Sequence, residues 1–496
     1  MNNSPSSNTG GVHSGQLFTA SCLSLIATSI AFSVVGAVMG PLKEVFLLTN
    51  QQVGQIGGAA LYGFALSIVV LGPLCDILGM KNIFRISFLC HFAGTLMMIF
   101  ASGFWMLYFG ALIIALGNGG VEAAGNPLVA TLYPDRKTQK LNQFHVWFPG
   151  GILIGGLLAF MLTKVGITSW QIKLSLILVP TVIYGFLFLG QKFPATERVQ
   201  SGISFKGMLT GAFGRLFFWI LLITIAITAS LELGPNRWIP AVLEAGGLPG
   251  ILVLAYISGL MAILRFFAGP VVEKLSPTGI ILCSAILAGI GLYWFSYSDS
   301  LVTAFLSATV FAVGVCYFWP TLLGITSERV PRSGALGLAL MGGTGMLTVG
   351  LITAPTMGGI ADKYLHQELP AETTVEVLAE VVSTYPLLAA ELPELKQEEA
   401  ASAVADASGV LMAFELSGEL PPMDTANALR SALRNAPAGA EALTGRIHGE
   451  VLGPADNKGG RISFRYVAPL ALVVVLIFGV LYAQDRKKGG YQAEQI

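Results

Sequence analysis

The sequence predicts an all-α polytopic membrane protein with twelve transmembrane helices, arranged as two six-helix bundles around a central cavity. The composition, the spacing of the apolar stretches and the distribution of basic residues all support this prediction. Of the 496 residues, 54% are hydrophobic and 11% are charged, whereas about 25% are charged in a typical soluble domain. The formal net charge is zero, so no basic surface for a nucleic acid is expected.

Twelve apolar stretches are long enough for membrane spans, each of which needs about 20 residues. They lie at 17–40, 53–78, 82–101, 104–133, 141–164, 172–190, 215–245, 247–272, 278–297, 300–325, 334–361 and 464–484. The predicted organisation is a disordered N-terminus (1–16), a first bundle (17–190), a linker (191–214), a second bundle with helices 7–11 (215–361), an insert (362–463), helix 12 (464–484) and a tail (485–496).

Lysine and arginine are distributed unequally between the two sides of the predicted spans. On one side, the short loops and their flanks contain only Lys43, Lys164, Lys173 and Arg237, and most other basic loop residues fall on the opposite side. Because positively charged loops stay in the cytoplasm, both termini are expected to be cytoplasmic, with the chain in the plasma (inner) membrane.

The insert at 362–463 interrupts the apolar pattern between helices 11 and 12. It contains helix-like runs such as TTVEVLAEVV and TANALRSALRN, and its acidic side chains outnumber its basic ones. By the same topology it lies outside the cytoplasm, since long domains are translocated largely regardless of charge. A small acidic helical cap is expected there, and the alternative is a partner-docking or gating module.

The two halves of the chain resemble each other in sequence. GPLCDIL at Gly72–Leu78 recurs as GPVVEKL at Gly269–Leu275. Four further positions recur at one constant offset, namely Pro127, Asp135, Arg136 and Gly150 as Pro320, Glu328, Arg329 and Gly343. Two six-span halves repeated in the same orientation are typical of a transporter with a central cavity, which works by rocking one bundle against the other.

The run GPLCDILGMK resembles the loop 2–3 signature of the major facilitator superfamily. Gly72 would let two helices approach closely, and Asp76 would pair with a basic side chain or a helix N-terminus. The resemblance and the repeat together predict a conformational latch made of Gly72, Asp76, Gly79, Lys81, Gly269, Glu273, Asp135, Arg136, Glu328 and Arg329.

A narrower resemblance covers EAAGNPLVATLYPDRKTQKLNQFHVW, which is similar to the fourth-to-fifth helix region of the fucose permease-like sugar:proton symporters. Glu122, Asn126, Pro127, Leu141 and Asn142 match that pattern directly. The resemblance implies that Glu122 helps to couple protons to the solute. It also places His145 where the family tends to have a sugar-contacting glutamine.

Glu122 and His145 are the candidate proton-coupling residues. An ionisable group inside a membrane span is costly and is a functional-site hypothesis by default, and histidine has an unperturbed pKa near neutral. The alternatives are a permanently paired glutamate that fixes helix contacts and a histidine that only packs between helices. The first span has no ionisable side chain before Lys43, so Glu122 is the predicted titrating site.

The candidate solute-binding residues are polar or aromatic side chains inside the spans. They are Asn126, Asn142, Gln143, Trp147, Trp319, Glu232 and Arg265. Hydrogen bonds between helices, a structural ion pair of Arg265 with Glu232, and interfacial packing of tryptophan are the alternatives. Trp319-Pro320 occupies the repeat position of Asn126-Pro127. If the two pairs face each other across the cavity, they would clamp one solute from both halves. Gly234 and Pro235 are expected to interrupt span 7.

The predicted function is secondary active transport of a small polar solute, with a monosaccharide as the first candidate, by alternating access and with protons coupled through Glu122. The alternatives are a uniporter, a carrier of a non-sugar solute such as an organic acid, an amine or a drug-like compound, and a transporter-like receptor that uses the insert. No Gly-x-x-x-x-Gly-Lys-Ser/Thr run for ATP is present, and no catalytic triad order or metal-ligand spacing supports an enzyme. The prediction therefore includes no cofactor and no metal. The expected partners are the bilayer, the solute and a proton, and the protein is expected to be monomeric.

Overall fold

The computed structural model describes residues 11–46, 48 and 50–494, and over these residues every regular element is a helix. Most of the predicted disordered N-terminus lies outside the described residues, and span 1 already begins at Ser14. The all-helical fold predicted from the composition is confirmed.

The first six spans are helices of varied length. Spans 5 and 6 are each divided into two helical segments by a short break. Their bounds are Ser14–Val45, Asn50–Leu78, Met80–Ile99, Phe104–Leu132, Lys137–Phe144 with Trp147–Lys164, and Trp170–Ser175 with Leu178–Phe188. The linker contains two short helices, Glu197–Gln200 and Phe205–Phe213.

The second half repeats this organisation. Spans 10, 11 and 12 each consist of more than one segment, and a π-helical turn, Val349–Thr353, lies inside span 11. The bounds of spans 7 to 12 are Leu216–Ala245, Gly250–Phe266, Ala268–Phe295, Leu301–Val315 with Phe318–Arg329, Gly334–Thr348 with Ala354–Glu368, and Gly453–Val467 with Leu470–Lys487.

Twelve helices in the described chain are long and apolar enough to cross a membrane. Eleven of them correspond to predicted spans. The twelfth is Glu394–Ser417, which belongs to the insert, while the predicted span 8 is the shorter apolar helix Gly250–Phe266. We assign span 8 to the membrane instead of Glu394–Ser417. The reason is that the insert helix carries six ionisable side chains and packs into a core of its own.

Span 7 runs without interruption from Leu216 to Ala245, with Pro235 and Pro240 inside the helix. The expected interruption at Gly234 and Pro235 is therefore wrong. Gly234 instead permits a close approach to span 11, because a Cβ atom there would lie 2.8 Å from the Cγ2 atom of Thr353.

Both described termini lie at one end of the helices, which we call the terminal face. Gly11 contacts Lys192 of the linker, and Glu494 bonds to Arg215 before span 7. At this face the two halves touch. A Cβ atom on Gly72 of span 2 would lie 2.0 Å from the Cβ atom of Ala339 in span 11. The glycine is therefore required for the close crossing of these two spans.

The insert lies at the opposite end, which we call the insert face. Spans 11 and 12 extend there as Ala354–Glu368 and Gly453–Val467, which pack against each other. Four further helices form a separate hydrophobic core with these extensions, namely Ala371–Ala389, Glu394–Ser417, Pro422–Arg434 and Glu441–Arg446. The insert is therefore a small helical domain on a two-helix stalk.

Candidate functional site

A cluster of buried polar side chains lies where spans 4 and 5 meet. The Asn126 Nδ2 atom donates to Glu122 Oε2 at 2.7 Å, and the His145 Nε2 atom donates to Asn126 Oδ1 at 2.9 Å. His145 Nε2 is also 3.8 Å from Glu122 Oε2. The amide therefore bridges the carboxyl group and the imidazole. Glu122 and Asn126 are 4 positions apart on span 4, and His145, 19 positions after Asn126, lies at the break between the two segments of span 5.

Arg265 of span 8 connects this cluster to the second half. Its Nη1 atom donates to the His145 carbonyl at 3.1 Å, and its Nη2 atom donates to Glu232 Oε1 at 3.0 Å. Its Nε atom donates to the carbonyl of Cys316 in span 10 at 2.5 Å. One guanidinium group thus holds spans 5, 7, 8 and 10 together, using the planar arrangement of its donors.

The cluster retains unused hydrogen-bonding capacity. Glu122, His145, Glu232 and Arg265 are all at most 4% exposed. Two buried oxygen atoms among the described residues lack a partner here, Glu232 Oε2 and Asn142 Oδ1. An unpaired buried polar atom is costly, so these two atoms are available to accept from a solute hydroxyl or amino group, and Glu232 Oε2 is also available for a proton.

Asn142 lies between the two halves at the terminal side of the cluster. Its Nδ2 atom donates to the Thr138 carbonyl at 2.9 Å and to Thr321 Oγ1 of span 10 at 3.2 Å. Gln143 points elsewhere, since its Oε1 atom accepts from Lys140 Nζ at 2.9 Å. The structure therefore brings Asn142 to the interface and leaves Gln143 at its edge.

The two predicted tryptophans are separate from the charged cluster. The Trp319 ring lies over Gly342 and Gly345 of span 11, where a Cβ atom on Gly345 would be 2.7 Å from it. Both glycines belong to the second half, and the arrangement of Trp319 opposite Asn126 stays a prediction. Trp147 is half-buried, and its carbonyl accepts from Ser29 Oγ at 3.0 Å.

At the terminal face, the side chain of Asp76 of the predicted latch is buried, and one cation and one hydroxyl group bind it. The Arg198 Nε atom lies 2.6 Å from Asp76 Oδ2, and Thr196 donates to the other oxygen. Both partners come from the linker. Gly79 has φ +81 and turns the chain after span 2, and Lys81 donates to the Gln191 carbonyl at 2.7 Å. The first-half signature thus fastens the linker to the bundle.

The second-half latch residues Glu328 and Arg329 are held by the tail. Glu328 Oε1 accepts from Thr138 Oγ1 of the first half at 2.8 Å, and Glu328 Oε2 accepts from the Tyr491 hydroxyl at 2.7 Å. Arg329 pairs with Asp485 at 2.6 Å and covers the Tyr491 ring. Burial, followed by the charge of Glu328, raises the pKa of Tyr491 well above its ordinary value, so this hydroxyl remains a donor.

The remaining latch candidates line a wide cavity at the same face. Its volume is about 930 Å³. Asp135, Arg136 and Glu273 are exposed in it, and Gly269 lies beside Gln139, whose Nε2 atom would be 2.5 Å from a Cβ atom there. These residues lie together at the junction of the halves without forming a direct ion pair in the described chain.

Several residues that the sequence analysis did not select have clear partners in the structure. Arg198 holds Asp76, Tyr491 holds Glu328, and Lys137 bonds to Glu197 of the linker at 2.7 Å. His91 is fully buried between Asn118 and Tyr184. Only the position of His91 inside an apolar stretch could have identified it. Among the described residues, no group of three or more His, Cys, Asp or Glu side chains could hold a metal ion.

Comparison with known proteins gives concordant results. A model of the family described as Major Facilitator Superfamily matches residues 21–363. The gentisate transporter of Corynebacterium glutamicum is 24% identical over 351 residues, which cover 66% of this chain and 76% of that protein. The cis,cis-muconate transport protein of Acinetobacter baylyi is 24% identical over 285 residues, or 53% of this chain and 68% of that protein.

Two solved structures share the fold. The transporter FucP in its outward conformation superposes with a TM-score of 0.59 at 18% identity, over 70% of this chain and 92% of that chain. The proton:xylose symporter XylE superposes with a TM-score of 0.59 at 15% identity, over 70% of this chain and 89% of that chain.

Proposed function

The chain belongs to the Major Facilitator Superfamily, and from that premise we propose that it is a secondary active transporter that moves a small polar solute together with protons. Glu122 is the proposed proton carrier, and alternating access is the proposed mechanism. Both termini are assigned to the cytoplasm and the chain to the plasma (inner) membrane, where it acts as a monomer.

The observation that carries this proposal is the buried polar cluster that crosses from one half to the other. Glu122, Asn126 and His145 belong to the first half, and Arg265 and Glu232 belong to the second. A buried cluster that depends on both halves must change its contacts when one bundle rocks against the other. The protonation of Glu122 and the movement of the bundles are thereby coupled.

Asn126 and His145 control the proton on Glu122 in this mechanism. The Asn126 amide donates to Glu122 Oε2 at 2.7 Å, and an amide donor can bond to a charged or a neutral carboxyl group. A protonated His145, whose Nε2 atom is 3.8 Å from the same oxygen, can give its Nε2 proton to Glu122 and remain as the neutral imidazole. Glu122 can therefore bind and release a proton while its surroundings stay intact.

Two classes of solute fit this framework. A monosaccharide is the first candidate, supported by the fold shared with FucP and with the proton:xylose symporter XylE and by the free oxygens of Glu232 and Asn142. A small organic acid is the second. It is supported by the likeness to the gentisate and muconate transporters and by the cationic Arg265 in the cluster.

Uptake by proteoliposomes tests the proposal. The purified full-length chain is reconstituted, an inward proton gradient is imposed, and labelled monosaccharides and small organic acids are supplied separately. We expect gradient-driven uptake of members of one class, with alkalinisation of the external medium. Glu122→Gln should lose gradient-driven uptake and keep exchange of labelled for unlabelled solute, because the neutral amide fixes one protonation state.

A matched control is Glu244→Gln, which removes an exposed carboxylate outside the cluster. It should behave like the wild type. Normal gradient-driven uptake by Glu122→Gln would remove Glu122 from the proton pathway. If uptake by the wild type does not depend on the proton gradient, the protein is a uniporter.

A further inference from the structure

A second cavity opens between the halves on the insert side of the buried cluster. Its volume is about 170 Å³, and spans 1, 2 and 4 of the first half line it together with Arg237 of span 7. Asn118 lies in its wall, one helical turn before Glu122 on span 4. A solute in this cavity would therefore lie next to the proposed proton carrier.

Arg237 is the only charged side chain among the residues that line this cavity. It is exposed, so water reaches its guanidinium group. It also comes from the second half, whereas every other lining residue belongs to the first. No carboxylate among the described residues pairs with Arg237. A guanidinium at a cavity wall favours an anion, and its paired N–H groups suit a carboxylate.

Asn118 provides a second donor toward the same cavity. Its Oδ1 atom is 2.9 Å from His91 Nε2, and His91 Nδ1 is 3.1 Å from the Tyr184 hydroxyl. Both bonds are satisfied when Tyr184 donates to Nδ1 and His91 donates to Asn118. The amide oxygen is then occupied, and the Nδ2 group, which has two donors, is left for the cavity. His91 and Tyr184 are positioning residues that fix this orientation.

The rest of the wall is apolar. Its large side chains are Phe32, Val35, Met39, Leu61 and Ile114. The volume is below the roughly 300–1,000 Å³ typical of sites for drug-sized ligands, so the solute is small. A monosaccharide presents hydroxyl groups around its whole ring, and this wall offers them few polar partners. A carboxylate on an apolar body matches both parts of the cavity.

We propose that this cavity binds a small monocarboxylate with an apolar or aromatic body, whose carboxylate bonds to Arg237 and Asn118. The assignment rests on the proposed transport function and selects the organic acids among its solute classes. Closure of the insert face would then carry the bound carboxylate toward Glu122, where a proton enters with it.

Direct binding tests the site independently of transport. Equilibrium dialysis of the full-length chain in detergent is carried out with labelled benzoate, and with benzamide as its neutral analogue of the same shape. We expect benzoate to bind at least about tenfold more tightly than benzamide, since a charge-assisted hydrogen bond is lost in the neutral analogue. Arg237→Gln should weaken benzoate binding by roughly tenfold or more, and Arg237→Lys should weaken it less.

Asn118→Asp tests the second donor. It keeps the acceptor for His91 and replaces the free donor by a negative charge, so it should weaken benzoate binding and leave benzamide binding unchanged. Lys164→Gln is the matched control. Lys164 is a cation at the insert-side end of span 5, and it does not line the cavity. It should not alter either affinity.

The outcomes separate this inference from the proposed function. Equal binding of benzoate and benzamide, or unchanged benzoate binding by Arg237→Gln, would overturn the carboxylate site. Proton-driven uptake of a monosaccharide by a chain that does not bind benzoate would also overturn it, while the proposed function would stand. Selective binding of benzoate without any uptake would support the site and contradict the proposed function.

Discussion

The guanidinium group of Arg265, in the second half, donates to the backbone carbonyl of His145, in the first half, at 3.1 Å. The same group pairs with Glu232 at 3.0 Å, and both side chains are buried. A buried ion pair adds little net stability, but removing one member leaves a buried charge without compensation. Arg265 is therefore expected to be essential both for the packing of the halves and for transport.

Arg265→Met should destabilise the protein, because Glu232 then remains buried without its cation. Loss of one partner of such a pair costs about 3–5 kcal/mol. The melting temperature of the purified protein in detergent measures this effect. The double variant Arg265→Met/Glu232→Gln should melt at a higher temperature than the single variant, since the uncompensated carboxylate of residue 232 is then removed as well. Equal melting temperatures for the two variants would show that the ion pair does not stabilise the fold.

Gly72→Ala should disturb the crossing of spans 2 and 11 at the terminal face. The added Cβ atom would lie 2.0 Å from the Cβ atom of Ala339, and overpacking of this kind costs about 1–3 kcal/mol. We expect a lower melting temperature. Gly54→Ala is the matched control in the same span, because its Cβ atom would have nothing within 4 Å. A similar loss of stability for both variants would point to a general effect of alanine in span 2.

Breaking the pair of Asp76 and Arg198 should favour opening of the terminal face. The Arg198 Cβ atom would lie 3.1 Å from a Cβ atom on Gly334 at the start of span 11, so the pair connects spans 2 and 11 through the linker. Asp76→Asn removes the charge and keeps the size of the side chain. The expected result is a larger population with an open terminal face and a closed insert face.

Spin labels on Val45 and Leu252 can measure this change, after replacement of the native cysteines. Both side chains are exposed, and they belong to different halves. Pulsed electron paramagnetic resonance should give shorter distances between the two labels for Asp76→Asn than for the wild type. Glu244→Gln should leave the distribution unchanged, and an unchanged distribution in Asp76→Asn would show that this pair does not control the conformation.

The lengths and positions of the spans could be predicted from the sequence because membrane thickness imposes them on an apolar helix. Span 12 shows the limit of that inference. Its predicted start at 464 marks where the apolar stretch begins, but the helix starts at Gly453, because the polar residues of the stalk are helical too. Pro235 shows another limit, since neighbouring helices in a bundle can accommodate a proline that would break an isolated helix.

The candidate site was predictable only in part. Glu122, Asn126 and His145 were found because polar residues in apolar spans are conspicuous, and they do lie together. The partner of Asp76 was not predicted, since Arg198 is separated from it by 122 positions and comes from an irregular linker. The donor role of Asn118 depends on His91 in a neighbouring helix. Contacts between distant segments of this kind cannot be predicted from the spacing of residues within one helix.

Deletion of the insert should leave transport intact if its role is accessory. The insert has its own core and is joined to the bundle mainly through the stalk, where Asn457 Nδ2 donates to the Val242 carbonyl at 2.6 Å. A deletion of residues 371–446 with a short linker would remove the acidic helices and keep Asn457. Uptake rates in proteoliposomes should then stay within about twofold of the wild type.

Arg430→Gln provides a milder test of the same point. Arg430 lies 3.4 Å from Asp362 and 3.2 Å from Asp456, which belong to the two stalk helices. Exposed ion pairs contribute only about 0–1 kcal/mol, so the variant should fold normally and loosen the insert from its stalk. A transport rate that falls in both the deletion and Arg430→Gln, with normal melting of the bundle, would assign the insert a gating role. A rate that is unchanged in both would confine it to a task outside the transport cycle.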